Sequence, residues 1–411
     1  QVFLLSDGAL SLDNLKEGKR TPLPLKSEVQ RQTQRAYEES FDHVWEATRA
    51  MFYRRDFHGV NWQAMKDVYR PRLNGVADDR EFADLLSEML GELNVSHCGA
   101  RFRSQDRGGD QTASLGFIPD PAWKGKGVRV AEVLRNSPLD RAHPRVKAGM
   151  ILMAVNGMDL GTDTDWVATL NHLEQQHCTL TFQDTDKAEK FMVRIRPEGL
   201  VQEQERLYER WVRRNEEEVR RISQGRLGYV HIPGMSDDAY RDVVLKALGP
   251  SQNCEGLVVD TRCNGGGDLV GDLTMFLTGK TFMTYDVEDR PLGVEPTYRW
   301  TRPSVALVNE ANYSDGHCFA CAYKDLGIGK LVGMPVPGTC SFAGWERLSG
   351  HQVVWGTVPV SARNNRGEWL ENHQTEPDCV VPNQPGKVDM GQDEQLLQAV
   401  EELNRMLPAR H

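Results

Sequence analysis

From position 226 onward short apolar runs alternate with amphipathic segments, and that alternation constrains the fold more than any other feature of the 411 residues. Residues 227–232 (Leu-Gly-Tyr-Val-His-Ile), 256–260 (Gly-Leu-Val-Val-Asp) and 304–308 (Ser-Val-Ala-Leu-Val) have strand length and β-branched content. Segments 237–248, 269–277 and 319–325 read as the helices between and after them. Strands alternating with helices imply an α/β layer arrangement.

The earlier part of the chain has a different texture. Residues 1–24 read as a β-hairpin: apolar 2–5, a Ser-Asp-Gly turn at 6–8, then 9–12. Residues 25–110 form a helical domain, with Phe41, Val44, Trp45, Met51 and Phe52 at helical spacing and a second amphipathic stretch over 79–93. In 111–200 short strands dominate: 128–133 alternates, 165–173 reads as a helix, and 179–182 closes the module. Residues 201–225 are dense in interleaved Arg and Glu, which predicts an exposed connecting helix. Residues 226–411 complete the chain as the α/β domain.

Composition removes several classes of function. The 49 basic residues against 59 acidic ones leave a net charge of −10, which disfavours a nucleic-acid binder. No apolar run approaches the ~18 residues of a membrane span. Eight cysteines in 411 residues are too sparse for a disulfide scaffold, so all eight are expected as free thiols in a reducing compartment. No signal peptide is visible ahead of Gln1, which points to the cytoplasm, although the odd start suggests a truncated or processed chain.

Three segments could carry chemistry. Residues 309–316 (Asn-Glu-Ala-Asn-Tyr-Ser-Asp-Gly) join a strand to a helix, a turn that exposes one side chain and aims backbone amides at it. Ser314 there is either a nucleophile or simply a helix cap. Residues 260–268 (Asp-Thr-Arg-Cys-Asn-Gly-Gly-Gly-Asp) form another such turn, whose glycines either admit a ligand to the backbone or serve only a tight turn. Ser96 and His97 lie in the polar break after the helical module, where a lone His could also be structural.

Taken together and in order, these segments resemble the tail-specific (C-terminal-processing) serine peptidase superfamily. The Glu-Leu-Asn-Val-Ser-His run at 92–97, Trp-Leu-Glu-Asn at 369–372 and Glu-Pro-Asp at 376–378 are similar to its tricorn-protease branch. Residues 111–200 resemble a PDZ domain through Leu115-Gly116-Phe117 at the carboxylate-loop position, Ser137-Pro138, and the 148–157 block. The resemblance implies a multidomain α+β and α/β fold. Its parts are a helical domain, a PDZ-like β domain and a crotonase-like α/β catalytic domain, after a remnant N-terminal hairpin of a propeller.

The same resemblance implies Ser314 as nucleophile, His97 as its base, and Ser96 with Glu371 completing a tetrad. Asp315 and Gly266 or Gly267 would donate the oxyanion hydrogen bonds. Asp286 (or Glu288 or Asp289) would select basic residues, and Leu115, Gly116 and Phe117 would bind peptide. Typical C-terminal-processing proteases use a downstream lysine, but that neighbourhood here is Gly338-Thr339-Cys340-Ser341 and the nearest lysine is Lys330. The resemblance to the tricorn branch implies a metal-free, cofactor-free serine endopeptidase acting on peptides or unfolded polypeptides, as a homo-oligomer (trimer or hexamer). Cys318 as nucleophile and a metal site of His317, Cys318 and Cys321 are the weaker chemistries. The rival functions are a non-catalytic PDZ peptide-binding protein and an esterase using the same serine.

Overall fold

The computed structural model describes residues 2–6, 9–24, 33–104, 108–185 and 189–408. The chain forms two compact units: 1–94, 98–103 and 345–357 in the first, 95–97, 104–344 and 358–411 in the second.

The first unit opens with three antiparallel strands, Val2–Ser6, Ala9–Asn14 and Lys19–Leu23. The third strand goes beyond the expected hairpin, and residues 7–8 of the turn expected at 6–8 lie outside the described residues. The helical module is present as Thr33–Met51, Trp62–Tyr69 and Asp79–Gly91; its expected beginning at 25–32 lies outside the described residues. Phe41, Val44, Phe82, Leu86, Met89 and Leu90 bury its apolar stripe. Asp78 starts the third helix by accepting the Arg80 and Glu81 amides at 2.8 and 2.9 Å, while Glu81 reaches back to the Ala77 amide. Residues 99–102 pair antiparallel with 353–356.

In the second unit an antiparallel sheet runs in the order Lys190–Ile195, Cys178–Gln183, Ile151–Val155, Val128–Val133, Phe117–Pro119. The strand at 190–195 follows the one expected to close this module. The helix expected over 165–173 is one 3-10 turn, Ala168–Leu170. β-branched Val167 precedes that turn and β-branched Thr169 sits inside it, and His172 at φ 60° takes the chain out of helical space.

The α/β layer is a five-stranded parallel sheet in the order Leu227–His231, Gly256–Asp260, Ser304–Val308, Gly329–Gly333, Cys379–Val380. Its apolar runs are continuous because both faces are covered. Val259, Ala306 and Val308 pack toward the helices Asp237–Leu248, Val270–Thr278 and Asp315–Asp325. Val258, Val305 and Leu307 pack toward Leu200–Ile222 and Glu394–Met406. The helix at 200–222 is thus more than an exposed connector, since it buries Val212, Asn215 and Val219. The first four strands follow one another in sheet order, and right-handed crossovers then place the three linking helices on one face.

Candidate active site

Parallel neighbours end at the same edge of the sheet. The turns after Asp260 and Val308 are therefore brought together by strand order alone, at the carboxyl edge where α/β sheets carry their sites. Asn312 Nδ2 donates to Thr261 Oγ1 at 3.1 Å, and the Tyr313 amide donates to the Asn264 carbonyl at 2.9 Å.

Ser314 sits between the third strand and the helix Asp315–Asp325 with φ 56° and ψ −124°. A serine rarely adopts this geometry, and strand-to-helix turns of this kind hold a side chain out at the sheet edge. Its hydroxyl makes no capping hydrogen bond, which removes the helix-cap explanation. Its own amide donates to Thr339 Oγ1 at 3.0 Å.

The glycine turn abuts this serine. A Cβ on Gly266, at φ +95°, would lie 2.5 Å from Ser314 Cβ and 3.0 Å from the Asp315 nitrogen, so only glycine fits. The Gly266 amide is already donated to Asn264 Oδ1 at 2.8 Å. A Cβ on Gly267, at φ +146°, would collide with the Met235 carbonyl. The Asp315 carboxylate accepts the Leu269 amide at 2.7 Å and ties the turn to the serine's helix; burial raises its pKa above the ordinary value.

Ser96 and His97 belong to this second unit, with His97 at φ 61°. The imidazole packs on Tyr313, ring centroids 4.5 Å apart, and the His97 amide donates to the Tyr313 hydroxyl at 2.8 Å. Glu371 is 3% exposed; its Oε1 accepts the Ser96 amide at 2.6 Å and its Oε2 the Ser96 hydroxyl at 3.0 Å. Ser96 Oγ also lies 2.7 Å from His97 Nδ1. A carboxylate only accepts, so the single Ser96 proton points to Glu371 and Nδ1 must carry the imidazole proton. Nε2 is then left as the acceptor. Burial lowers the His97 pKa, against a smaller opposing pull from the Glu371 charge.

The structure thus gathers Ser314 with the glycine turn, and Ser96 with His97 and Glu371, the two sets meeting through Tyr313. Asp286 is not gathered in. It stands exposed on the hairpin Met283–Val287/Arg290–Glu295. Leu115 and Phe117 are 2% and 4% exposed in the core of the antiparallel sheet, and the Gly116 amide is spent on Ser114 Oγ. A cavity of about 640 Å³ lined by Cys321, Arg366, Trp369 and His373 includes none of the gathered residues.

The cysteines correct one expectation. Cys318 and Cys340 form a disulfide, so the eight are not all free, and Cys318 has no thiol to act as nucleophile or ligand. His317 is buried neutral, its pKa pushed down to about 4, with Nδ1 accepting the Thr339 amide and Nε2 bonded to Thr375 Oγ1. Cys263 and Cys321 remain free thiols, and among the described residues no cluster of His, Cys, Asp and Glu could hold a metal ion. Sequence reading missed Tyr313, Thr339 and Ser341 as supports. The Thr339–Ser341 stretch shows only as the place where a downstream lysine is missing.

Residues 226–381 match the model of peptidase family S41, and residues 33–91 match that of the tricorn protease C1 domain. Tricorn protease homolog 1 of Streptomyces coelicolor is 31% identical over 384 residues, covering 89% of this chain and 35% of the relative. The tricorn protease of Thermoplasma acidophilum is 24% identical over 396 residues, 90% of this chain and 36% of the relative. The chain therefore spans about a third of the length of these relatives. Among solved structures, that of the tricorn protease superposes with a TM-score of 0.84 at 20% identity, covering 98% of this chain and 41% of that one.

Proposed function

Because residues 226–381 match peptidase family S41 and residues 33–91 the tricorn protease C1 domain, we propose that the chain is a serine endopeptidase working through a Ser314–His97–Ser96–Glu371 tetrad. The observation that carries the reading is the uncapped Ser314 hydroxyl, placed one residue from the ring on which His97 packs.

In this reading His97 Nε2 takes the Ser314 proton as Oγ attacks the peptide carbonyl. Ser96 accepts the Nδ1 hydrogen and relays the Glu371 charge to the forming imidazolium, which replaces the usual direct carboxylate contact. His97 next returns the proton to the leaving amine, and water releases the acyl group by the same route in reverse. The Asp315 amide, at the helix N-terminus, is one oxyanion donor. For the second, Gly267 is favoured over Gly266, whose amide is occupied by Asn264.

We read 111–200 as the PDZ-like module and 226–411 as the crotonase-like catalytic domain. Substrates would be short or unfolded peptides, and the working form a homo-oligomer. The buried Leu115 and Phe117 argue for a packing role of that loop over peptide capture. Among the described residues no helix is long and apolar enough to cross a membrane. The Cys318–Cys340 bond weighs toward an oxidising compartment over the expected cytoplasm.

A serine-directed fluorophosphonate followed by peptide mapping tests the reading. The adduct is expected on Ser314, and an adduct elsewhere, or none, overturns the mechanism. Comparing peptide with ester turnover separates the peptidase from an esterase using the same serine.

A further inference from the structure

The loop after the fourth parallel strand runs along the third neighbouring strand end, beside the two turns of the site. Val336 and Thr375 exchange backbone hydrogen bonds at 3.0 and 2.9 Å. Gly338 accepts the Asn372 amide at 2.9 Å, and a Cβ there would meet the His373 nitrogen at 2.2 Å. The loop is therefore laid backbone to backbone against the segment that carries Glu371.

Its side chains reach both halves of the tetrad. Thr339 Oγ1 accepts the Ser314 amide at 3.0 Å, and its own amide donates to His317 Nδ1 at 3.1 Å. The Ser341 hydroxyl bonds Glu371 Oε2, and Ser361 Oγ lies 2.9 Å from Ser341 Oγ. Among the described residues no Lys or Arg pairs with Glu371, so this buried carboxylate is held by neutral donors alone: the Ser96 amide, the Ser96 hydroxyl and the Ser341 hydroxyl. Removing one leaves an unmet buried acceptor and frees the carboxylate to turn. Between Thr339 and Ser341 lies Cys340, bonded to Cys318 four residues along the helix that Ser314 begins, with the two Cα atoms 5.2 Å apart.

We propose that Thr339 and Ser341 are positioning residues of the tetrad, carried on a strap that the Cys318–Cys340 disulfide locks to the nucleophile's helix, so that reducing the bond lowers turnover. The proposal rests on the tetrad reading above. Reduction by a phosphine and water gives two thiols and the phosphine oxide, so the sulfurs gain the two electrons that phosphorus loses. Freed from the helix, the strap no longer fixes the Ser314 amide and the Glu371 carboxylate in one geometry, and displacements of about 1 Å can cost on the order of 100-fold in rate.

The test is kcat and KM on a fluorogenic peptide, with fluorophosphonate labelling of the same samples. Wild type is measured oxidised, in a phosphine reductant, and after reoxidation. S341A, T339V, T339S and C318A/C340A are measured beside it. Expected is a fall in kcat of about tenfold or more with KM nearly unchanged for S341A, T339V and reduced wild type. T339S should recover the rate, reoxidation should restore wild type, and C318A/C340A should be slow and indifferent to reductant. Wild-type kcat in both S341A and T339V, or in reduced wild type, overturns the proposal; the reductant arm stands even if a variant fails to fold. Failure of oxidised wild type to label at Ser314 overturns the tetrad itself, and is distinguishable because no strap variant enters that measurement.

Discussion

Two charged clusters lie in the second unit and are built on opposite rules. In one, Arg262 donates to Asp260 at 2.6 Å and to Asp393 at 2.8 Å, with Gln395 at 3.1 Å, and Tyr229 closes the Asp260 side at 2.8 Å. Burial alone would raise the Asp260 pKa, yet the guanidinium beside it brings it below the ordinary value. In the other cluster the Glu371 carboxylate meets no Lys or Arg among the described residues; it accepts the Ser96 hydroxyl, which lies beside His97 Nδ1. The first is closed and fixes the shape of the glycine turn. The second is an open chain ending on an unprotonated Nε2, and an open end is what proton transfer needs.

Two substitutions break this comparison from either side. Ser314→Ala should lower kcat by about 10⁶, or roughly 8 kcal/mol of transition-state stabilisation, with an unchanged melting curve. Peptide turnover near the wild-type rate would remove Ser314 from the mechanism. Arg262→Ala should do the reverse. It strands two buried carboxylates at a cost of about 3–5 kcal/mol, read as a lower midpoint in urea, while molecules still folded lose far less activity than Ser314→Ala does, through a loosened glycine turn. An intact midpoint would show that the closed cluster is not what holds the turn.

The two clusters also differ in how far they can be read from sequence. The parallel strands are legible because buried runs such as 256–260 and 304–308 carry no polar alternation. The helix at 394–406 is legible after the fact in the spacing of Leu396, Ala399, Val400 and Leu403, although the helices read individually in that domain end at 325. The hairpin at 283–295 is not, since Met283, Tyr285 and Val287 are apolar yet exposed, and burial logic has no purchase on them. Ser314, His97, Ser96 and Glu371 emerge only from motif order, because Ser96 and Glu371 are 275 positions apart in the chain. The supports leave only a negative local trace, a missing lysine. Thr339 and Ser341 are ordinary residues whose role exists only once three strand ends are side by side.

The smallest expected effect is the most discriminating, because it asks whether Glu371 acts through charge or merely through shape. Burial holds the His97 pKa below its ordinary 6.5, and the Glu371 charge partly offsets that. Only neutral imidazole can accept the Ser314 proton, so kcat/KM should rise with pH through a value below 6.5 and then level. Glu371→Gln keeps the size and one carbonyl acceptor but removes the charge that favours imidazolium. Two consequences follow in opposite senses: kcat should fall, by about 100-fold, because the imidazolium formed during attack loses its counter-charge. The acid limb of kcat/KM should meanwhile move to still lower pH, because His97 becomes harder to protonate. A slower variant whose limb does not move would make Glu371 a spacer for Ser96. A limb moving to higher pH would mean that Glu371 is not the charge His97 senses, and the open cluster would have to be drawn through another group.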